Sequence, residues 1–354
     1  MNSRLSRRDL IRTASVLGGL AVIEACAPTG VPGTASSAPV AATATATPKP
    51  VLVKAAWVAQ TSNQMVWPVA KEAGYFAKYG VDFDLNYING STTAVAAMLG
   101  GDISMMTAAG SAVVTAQAAG TDLVMIAGFV NTALFRVVAA PGITSIDQLK
   151  GKTVAVTRIG NADYFAWQTI VAKQGWKTTD LNYVAGNDEP GKLTLLKSGN
   201  AQAIAVSPPN NINAVQQGGG KEILDTGQYK EPEQQVGIVA TRKYLTENRA
   251  AALGVVKASI EGIARWKKDK AFVQDVTKTY LKNNDPTFLD VGYTAYLDYF
   301  PEAPYPSEEG FAKVIEQVTT QNAKAKDLKT SQLMDRSFVK ELEDSGFIKQ
   351  VYGK

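Results

Sequence analysis

Histidine is absent from the sequence, and cysteine occurs once, at Cys26, in a chain of 354 residues. Histidine is the usual general base near neutral pH and the commonest metal ligand, so its absence disfavours most hydrolytic and metal-dependent chemistry. A single cysteine provides neither an internal disulfide nor a thiolate metal cluster. We therefore expect no catalytic residues, no metal site and no cofactor.

The sequence also lacks any concentration of charge of one sign. Lys and Arg number 36 against 32 Asp and Glu, and the formal net charge is +4. The charges are scattered, without a basic stripe or a nucleic-acid motif, so nucleic acid is not expected as a partner. Neither a P-loop nor the GxGxxG fingerprint occurs, which leaves nucleotide binding without support. Hydrophobic residues make up 45% of the chain, which is enough for a core and about two domains.

The first 26 residues have the pattern of an export signal. A basic start, SRRDLIR over residues 6–12, precedes an apolar run of about 11 residues, which is too short to span a bilayer. The arginine pair resembles a twin-arginine signal. Residues 23–26, Ile-Glu-Ala-Cys, resemble a bacterial lipobox, in which Cys26 becomes the lipidated first residue. Glu24 departs from that pattern, and the alternative is an ordinary signal cleaved elsewhere, with Cys26 discarded.

Residues 27–50 are mostly Ala, Thr, Pro, Ser and Gly, and carry no charge before Lys49. Such a composition cannot bury enough apolar surface to fold. As a flexible coil the segment would reach about 25–30 Å. We interpret it as a tether between a lipid-bearing Cys26 and a folded domain.

The tetrapeptide DLNY occurs twice, at residues 84–87 and 180–183, and each copy is followed three residues later by a glycine. The same order of predicted elements surrounds both copies: strand, polar loop, helix, strand, helix, glycine stop, strand and polar turn. Alternation places Leu85 and Tyr87 on one face of a strand, where we expect them to be buried rather than to contact a ligand.

Alternating strands and helices predict two α/β lobes whose strands are joined by right-handed crossovers. Two such lobes in one chain leave a cleft between them. Both lobes would present strand ends and helix N-termini to the cleft, which is the usual place for a ligand in open α/β sheets.

Several short segments carry a resemblance to a known family. They are EAGYFAKYGVD at residues 72–82, GDIS at 101–104, AQAAG at 116–120, IDQLKGKTVA at 146–155 and LKSGNAQA at 196–203. In order and spacing they resemble the substrate-binding proteins of ABC importers, in the nitrate, sulfonate, taurine and thiamine-precursor group. The resemblance covers residues 51–240 well and the helical remainder loosely.

The resemblance implies a two-lobed periplasmic-binding-protein type II fold, with a mostly parallel sheet flanked by helices in each lobe. The first lobe would comprise residues 51–137 and 240–354, and the second residues 138–239. The hinges would lie at residues 135–139 and 237–240. We expect the C-terminal helices to pack on the first lobe.

Loops at the predicted strand ends provide the candidate ligand-binding residues, most of which are neutral hydrogen-bonding groups. They are Gln60, Thr61, Ser62, Asn63, Gly110, Ser111, Phe129, Asn131, Arg158, Asn161, Ala162, Tyr164, Ser207, Pro208 and Asn210. Arg158 lies between a strand end and a helix start, where its guanidinium could bind a carboxylate, sulfonate or phosphate in bidentate fashion. The alternative is an exposed arginine paired with Asp163 or Glu189.

These features together predict a monomeric, lipid-anchored, extracytoplasmic binding protein. It would capture a small organic solute, anionic or heterocyclic, such as a sulfonate, a carboxylate or a pyrimidine, and pass it to the permease of an ABC importer. One alternative is a receptor that presents the ligand to a sensor. The other is an enzyme on the same fold, which the absence of histidine disfavours.

Overall fold

The computed structural model describes residues 49–354. The predicted export signal, the lipidation of Cys26 and almost all of the tether lie outside the described residues. No helix within residues 49–354 is both long and apolar enough to span a membrane.

The described residues contain two five-stranded sheets. Their strands are β1 (Val51–Trp57), β2 (Val81–Tyr87), β3 (Met105–Ala108), β4 (Leu123–Thr132), β5 (Arg136–Ala139), β6 (Thr153–Val156), β7 (Asn182–Ala185), β8 (Ala203–Val206), β9 (Lys221–Asp225) and β10 (Pro232–Thr241). The first sheet has the order β2-β1-β3-β10-β4, and the second has the order β7-β6-β8-β5-β9.

The two sheets have the same topology. β1 is parallel to β2 and β3, as β6 is parallel to β7 and β8. β10 runs antiparallel between β3 and β4, as β5 runs antiparallel between β8 and β9. Four strands of each sheet therefore share one direction, and the predicted fold of two mostly parallel α/β lobes is confirmed. The first copy of the DLNY tetrapeptide lies at the end of β2, and the last two residues of the second copy lie in β7. These two strands are the equivalent edge strands of the two sheets.

The chain crosses between the sheets at residues 133–135 and 226–231. β10 begins at Pro232, which is paired with Thr132 of β4, so residues 232–239 belong to the first sheet and not to the second lobe, where the sequence placed them. Likewise all of β5 pairs in the second sheet. The segments predicted as hinges, residues 135–139 and 237–240, lie almost entirely in β5 and β10. Each of these strands is paired on both sides inside its sheet, so the connections between the lobes are the shorter segments 133–135 and 226–231.

Fifteen α-helices cover the sheets within the described range. They are α1 (Val66–Glu72), α2 (Tyr75–Lys78), α3 (Ser91–Gly100), α4 (Gly110–Ala118), α5 (Ala162–Lys173), α6 (Glu189–Lys197), α7 (Asn210–Gln216), α8 (Arg242–Glu247), α9 (Arg249–Lys268), α10 (Lys270–Leu281), α11 (Pro286–Thr294), α12 (Glu308–Thr319), α13 (Thr330–Leu333), α14 (Ser337–Asp344) and α15 (Phe347–Tyr352). Gly74 separates α1 from α2, and its φ of 75° is left-handed.

The C-terminal helices pack mainly, but not only, on the first lobe. α9 lies against α1, where the indole Nε1 of Trp67 donates a hydrogen bond to Ser259 Oγ at 3.0 Å. α12 packs on α4 and β10, yet Gln321, just beyond its end, donates from Nε2 to the hydroxyl of Tyr164 in α5 at 3.0 Å. This contact with the second lobe was not expected from the sequence.

The carboxyl group of Glu233 in β10 is buried beside one crossing segment. The residue is 3% exposed, and its Oε2 has no hydrogen-bond partner in the described part of the chain. Burial raises the pKa of Glu233 to about 8, although Lys313 acts in the opposite direction. The folded protein therefore holds this proton more tightly than the unfolded chain does.

This difference predicts a pH-dependent stability. The contribution of Glu233 is fully present below its ordinary pKa of 4.5 and is lost as the pH rises through about 8. The slope approaches about 1.4 kcal/mol per pH unit between those values. Glu233→Gln should remove that slope in urea unfolding at pH 5, 6, 7 and 8, whereas the exposed Glu309→Gln should leave it unchanged. An identical slope in both variants would contradict the assignment.

Candidate functional site

A cavity of about 470 Å³ opens between the two lobes. The first lobe contributes the ends of β1, β2 and β3 with the loops that follow, and the second contributes the ends of β6, β7 and β8. The polar lining residues are Gln60, Thr61, Asn63, Gln64, Tyr87, Asn89, Ser91, Thr92, Ser111, Thr115, Thr121, Thr157, Asn161, Asp163, Asp188, Glu189, Ser207 and Gln235. The cavity therefore lies at the carboxyl ends of the parallel strands, where open α/β sheets bind ligands.

The loop after β1 forms a buried polar wall of the cavity. A short 3-10 turn at Ser62–Gln64 packs its side chains inward. Thr61 Oγ1 donates a hydrogen bond to Asn63 Oδ1, and Thr107 Oγ1 donates to Gln64 Oε1 at 2.5 Å. Thr61, Asn63 and Gln64 are each less than 4% exposed, so these bonds fix the wall in one arrangement.

The two lobes touch through this same loop. Asn210 Nδ2 donates to the carbonyl oxygen of Gln60 at 2.9 Å, and the Ser62 amide donates to the carbonyl oxygen of Pro208 at 3.3 Å. The loop after β1 thus faces the turn after β8. These bonds join residues of different lobes, so they form only when the lobes are close.

Seven of the fifteen candidate residues line the cavity, and eight do not. The lining candidates are Gln60, Thr61, Asn63, Ser111, Asn161, Ala162 and Ser207. The candidates that do not line it are Ser62, Gly110, Phe129, Asn131, Arg158, Tyr164, Pro208 and Asn210.

Packing explains why several candidates are kept from the cavity. Phe129 belongs to β4 and is fully buried in the hydrophobic core. Asn131 Nδ2 donates to the Tyr305 carbonyl oxygen at 3.0 Å. Tyr164 is 4% exposed, and its ring lies against those of Phe165 and Tyr183.

Gly110 has a packing role of its own at the start of α4. A Cβ placed on this residue would come within 2.8 Å of the Gln234 Cβ. The glycine allows α4 to approach β10 closely, which accounts for its position without a contact to a ligand.

Arg158 lies at the rim of the cavity. Its Nη1 would be 3.7 Å from a Cβ built on Gly90, so the guanidinium passes over the turn after β2. Within residues 49–354 Arg158 forms no ion pair, and its expected alternative partners, Asp163 and Glu189, are both paired with Lys192. The alternative pairing of Arg158 with Asp163 or Glu189 is therefore not formed, and its contact with a ligand stays a prediction.

A buried charged cluster that was not predicted from the sequence lies in the wall of the second lobe. The ammonium group of Lys192 is fully buried and donates to Asp163 Oδ2 at 2.9 Å, Glu189 Oε1 at 3.0 Å and the Ala205 carbonyl oxygen at 2.8 Å. Asp163 Oδ2 also accepts from the amide and the hydroxyl of Thr157, at 2.6 and 2.9 Å. The cluster ties α5, α6 and β8 together directly behind the cavity.

Burial and charge shift the protonation of this cluster. Burial raises the pKa of Glu189, although Lys192 opposes the shift. Burial lowers the pKa of Lys192, but Asp163 and Glu189 outweigh it, so the net direction is upward. The spacing of Glu189 and Lys192, three residues apart at the start of a helix, was the one signal in the sequence that could have revealed the pair.

Tyr87 faces the cavity, contrary to the expectation that it is buried. It is 39% exposed and lies with its ring centroid 4.7 Å from that of Trp57. Burial, followed by the charges of Asp188 and Glu189 in the opposite lobe, raises the pKa of Tyr87 to about 12. The alternation of β2 predicted its face correctly, but the last residue of this edge strand extends past the helices that would cover it.

Periplasmic binding proteins of known structure share the fold of this chain. The periplasmic aliphatic sulphonate binding protein SsuA of Escherichia coli matches with a TM-score of 0.63 and 20% identity, over 78% of this chain and 94% of SsuA. The periplasmic nitrate-binding protein NrtA of Synechocystis PCC 6803 matches with a TM-score of 0.72 and 16% identity, over 84% of this chain and 89% of NrtA. The fold is that of periplasmic binding proteins.

The sequence identifies the family. The family model described as NMT1/THI5 like matches residues 61–270, which is more than half of the chain. The chain belongs to the NMT1/THI5-like family. It is also 23% identical over 245 residues to "Putative binding protein YtlA" of Bacillus subtilis (strain 168), over 67% of this chain and 73% of that protein.

The buried cluster leads to a stability prediction. Lys192→Met retains most of the side-chain volume but leaves two mostly buried carboxylates without their counter-charge. We expect the free energy of unfolding at pH 7 to fall by about 3–5 kcal/mol. The loss should shrink at acidic pH, because burial raises the pKa of Glu189 and this carboxylate then becomes neutral.

Lys197→Met, at an exposed position of the same helix α6, is the matched control. It should change the free energy of unfolding by less than about 0.5 kcal/mol. Urea denaturation measures both variants. Similar losses in the two would show that Lys192 contributes no more than an exposed lysine.

Proposed function

We propose that the protein is an extracytoplasmic solute-binding protein that captures a small organic solute between its lobes and delivers it to the permease of an ABC importer. The observation that carries the proposal is the cavity itself, which is lined by strand ends from both lobes and spanned by hydrogen bonds between them. The named relatives, two periplasmic binding proteins among them, support the same class of function.

Binding would work through lobe closure. The bond from Asn210 to the Gln60 carbonyl joins opposite sides of the cavity and is lost when the lobes separate. A solute held by both walls adds contacts that exist only in the closed state, and so shifts the equilibrium toward it. A permease that recognises the closed form would then receive only loaded protein.

The proposed location rests on the N-terminal sequence. Export through a twin-arginine-like signal and a lipid on Cys26 would hold the protein at the outer face of the cell membrane, and residues 27–50 would let the lobes move freely above it. We propose that the protein acts there as a monomer, because one chain supplies both walls of the cavity.

A variant that fills the cavity tests the proposed function. Ala112 lines the cavity in the first turns of α4, so a tryptophan at this position should occupy the space that the solute needs. We expect Ala112→Trp to lose at least 90% of the solute that wild-type protein retains on purification, as measured by native mass spectrometry. Ala96→Trp, on the exposed face of α3, is the control and should retain the solute.

Addition of the solute identified in this way should make wild-type protein more compact in small-angle X-ray scattering and should raise its melting temperature. At a concentration about 100 times the dissociation constant, the stabilisation should be about 2.7 kcal/mol. A wild-type protein that neither retains nor responds to any solute would count against the proposal.

A further inference from the structure

The second lobe holds a buried, unused carboxylate oxygen within the wall of the cavity. Glu189 lines the cavity from the first turn of α6, and its side chain is 16% exposed. Its Oε1 accepts from Lys192, whereas its buried Oε2 has no partner among the described residues. A buried acceptor without a donor is unfavourable, and a donor that arrives with a ligand removes that cost.

The first lobe places a second unused acceptor at the same cavity. Gln235 lines the cavity from β10 and is 2% exposed. Its Nε2 donates to the Leu134 carbonyl oxygen at 2.9 Å, and its Oε1 has no partner within residues 49–354. The amide cannot be reversed without setting its oxygen against that carbonyl, so the side chain presents an acceptor and not a donor.

The charged side chains that line the cavity in the described range all have the same sign. Asp163, Asp188 and Glu189 are its charged lining residues within the described part of the chain, and all three are acidic. Lys192 behind the wall compensates one of them, and the Asp188 side chain accepts from the Gly191 amide as the cap of α6. Arg158 stands at the rim, but the lining itself carries no basic side chain.

Apolar side chains surround the mouth of the cavity. Tyr87, Leu99 and Ile159 are 39%, 51% and 54% exposed, and they are three of the six large hydrophobic residues most exposed in the described range. All three line the cavity, two from the first lobe and one from the second. Exposed apolar groups gathered at a cavity mouth mark a place that an apolar group covers.

We propose that the solute is a small organic cation in which a protonated amine, or a comparable cationic N–H group, is joined to an apolar body. This inference rests on the proposed function and specifies its substrate class. The N–H groups donate to Glu189 Oε2 and Gln235 Oε1, one acceptor from each lobe, so that the cation joins the two walls. The apolar body contacts Tyr87, Leu99 and Ile159.

An oxyanion is disfavoured at this site for the converse reason. A sulfonate or carboxylate placed beside Glu189 would set two acceptors of like charge against each other in a desolvated space. It would also leave the unpaired oxygens of Glu189 and Gln235 without donors. Arg158 at the rim could attract an anion to the mouth of the cavity, but not to its interior.

Matched pairs of probes that differ in the sign of their charge test the proposal. The full-length chain is titrated calorimetrically at pH 7.5 with 2-phenylethylamine and with 3-phenylpropanoate, and then with butylamine and with butanesulfonate. We expect each amine to bind at least tenfold more tightly than the anion of its pair. Tighter binding of the anions would overturn the inference and leave the proposed function intact.

Substitutions of the two acceptor residues test whether each of them contacts the amine. Glu189→Gln should weaken amine binding at least tenfold, and Gln235→Met, which leaves the cluster around Lys192 untouched, should weaken it severalfold. Glu247→Gln, an exposed carboxylate on α8, is the matched control and should bind the amines as wild-type protein does. Circular dichroism checks the fold of each variant, and amine affinity that is unchanged in both cavity variants would overturn the assignment.

The mass of the copurified solute identifies it, and the charge of that molecule is an independent test of the proposed solute class. A bound cation in native mass spectrometry supports the inference even if the four probes bind weakly, and a bound anion overturns it. If wild-type protein carries no solute and binds none of the probes, both the inference and the proposed function fail.

Discussion

The arrangement of the cavity walls depends on two antiparallel strands, β5 and β10, which connect the lobes. β10 returns from the second lobe to pair between β3 and β4, and β5 leaves the first lobe to pair between β8 and β9. The crossing segments are joined side by side, because the Phe135 amide donates to Thr226 Oγ1 at 2.9 Å and Gln235 Nε2 donates to the Leu134 carbonyl. Gln235 thus belongs both to the connection between the lobes and to the cavity wall. A change in the lobe angle and a change in the wall are therefore mechanically coupled.

The second lobe adds a charged constraint to this hydrogen-bonded one. Lys192 is fully buried and contacts groups on α5, α6 and β8, so the polar loops that start α5 and α6 cannot move independently. Burial of such a cluster contributes little net stability compared with an apolar core, but it specifies a single arrangement of its members. Here the arrangement fixes Glu189 with one oxygen engaged and the other unpaired. The ion pair behind the wall therefore determines the chemistry that the wall offers.

Similarity to known proteins and the residues that line the cavity bear on different aspects of function. The relatives share the fold at 16–20% identity, a level at which the chain path is retained while the residues at the strand ends differ freely. The acidic lining and the apolar mouth belong to this chain. The fold and the family support the proposed class of function, whereas the class of solute has to be inferred from this site.

Local sequence patterns were enough to predict the strands and helices and their duplication. Period-two strands, helices that end at glycines and the paired DLNY segments were sufficient to predict two α/β lobes, because these signals are local. The same patterns also identified the loops that meet at the cavity, since the carboxyl ends of parallel strands lie at one edge of a sheet. Tertiary structure decided which side chains of those loops reach the cavity. Tyr164 turns toward α12, Arg158 passes over Gly90, and Tyr87 emerges at a sheet edge, because each depends on partners more than 60 residues away in the chain.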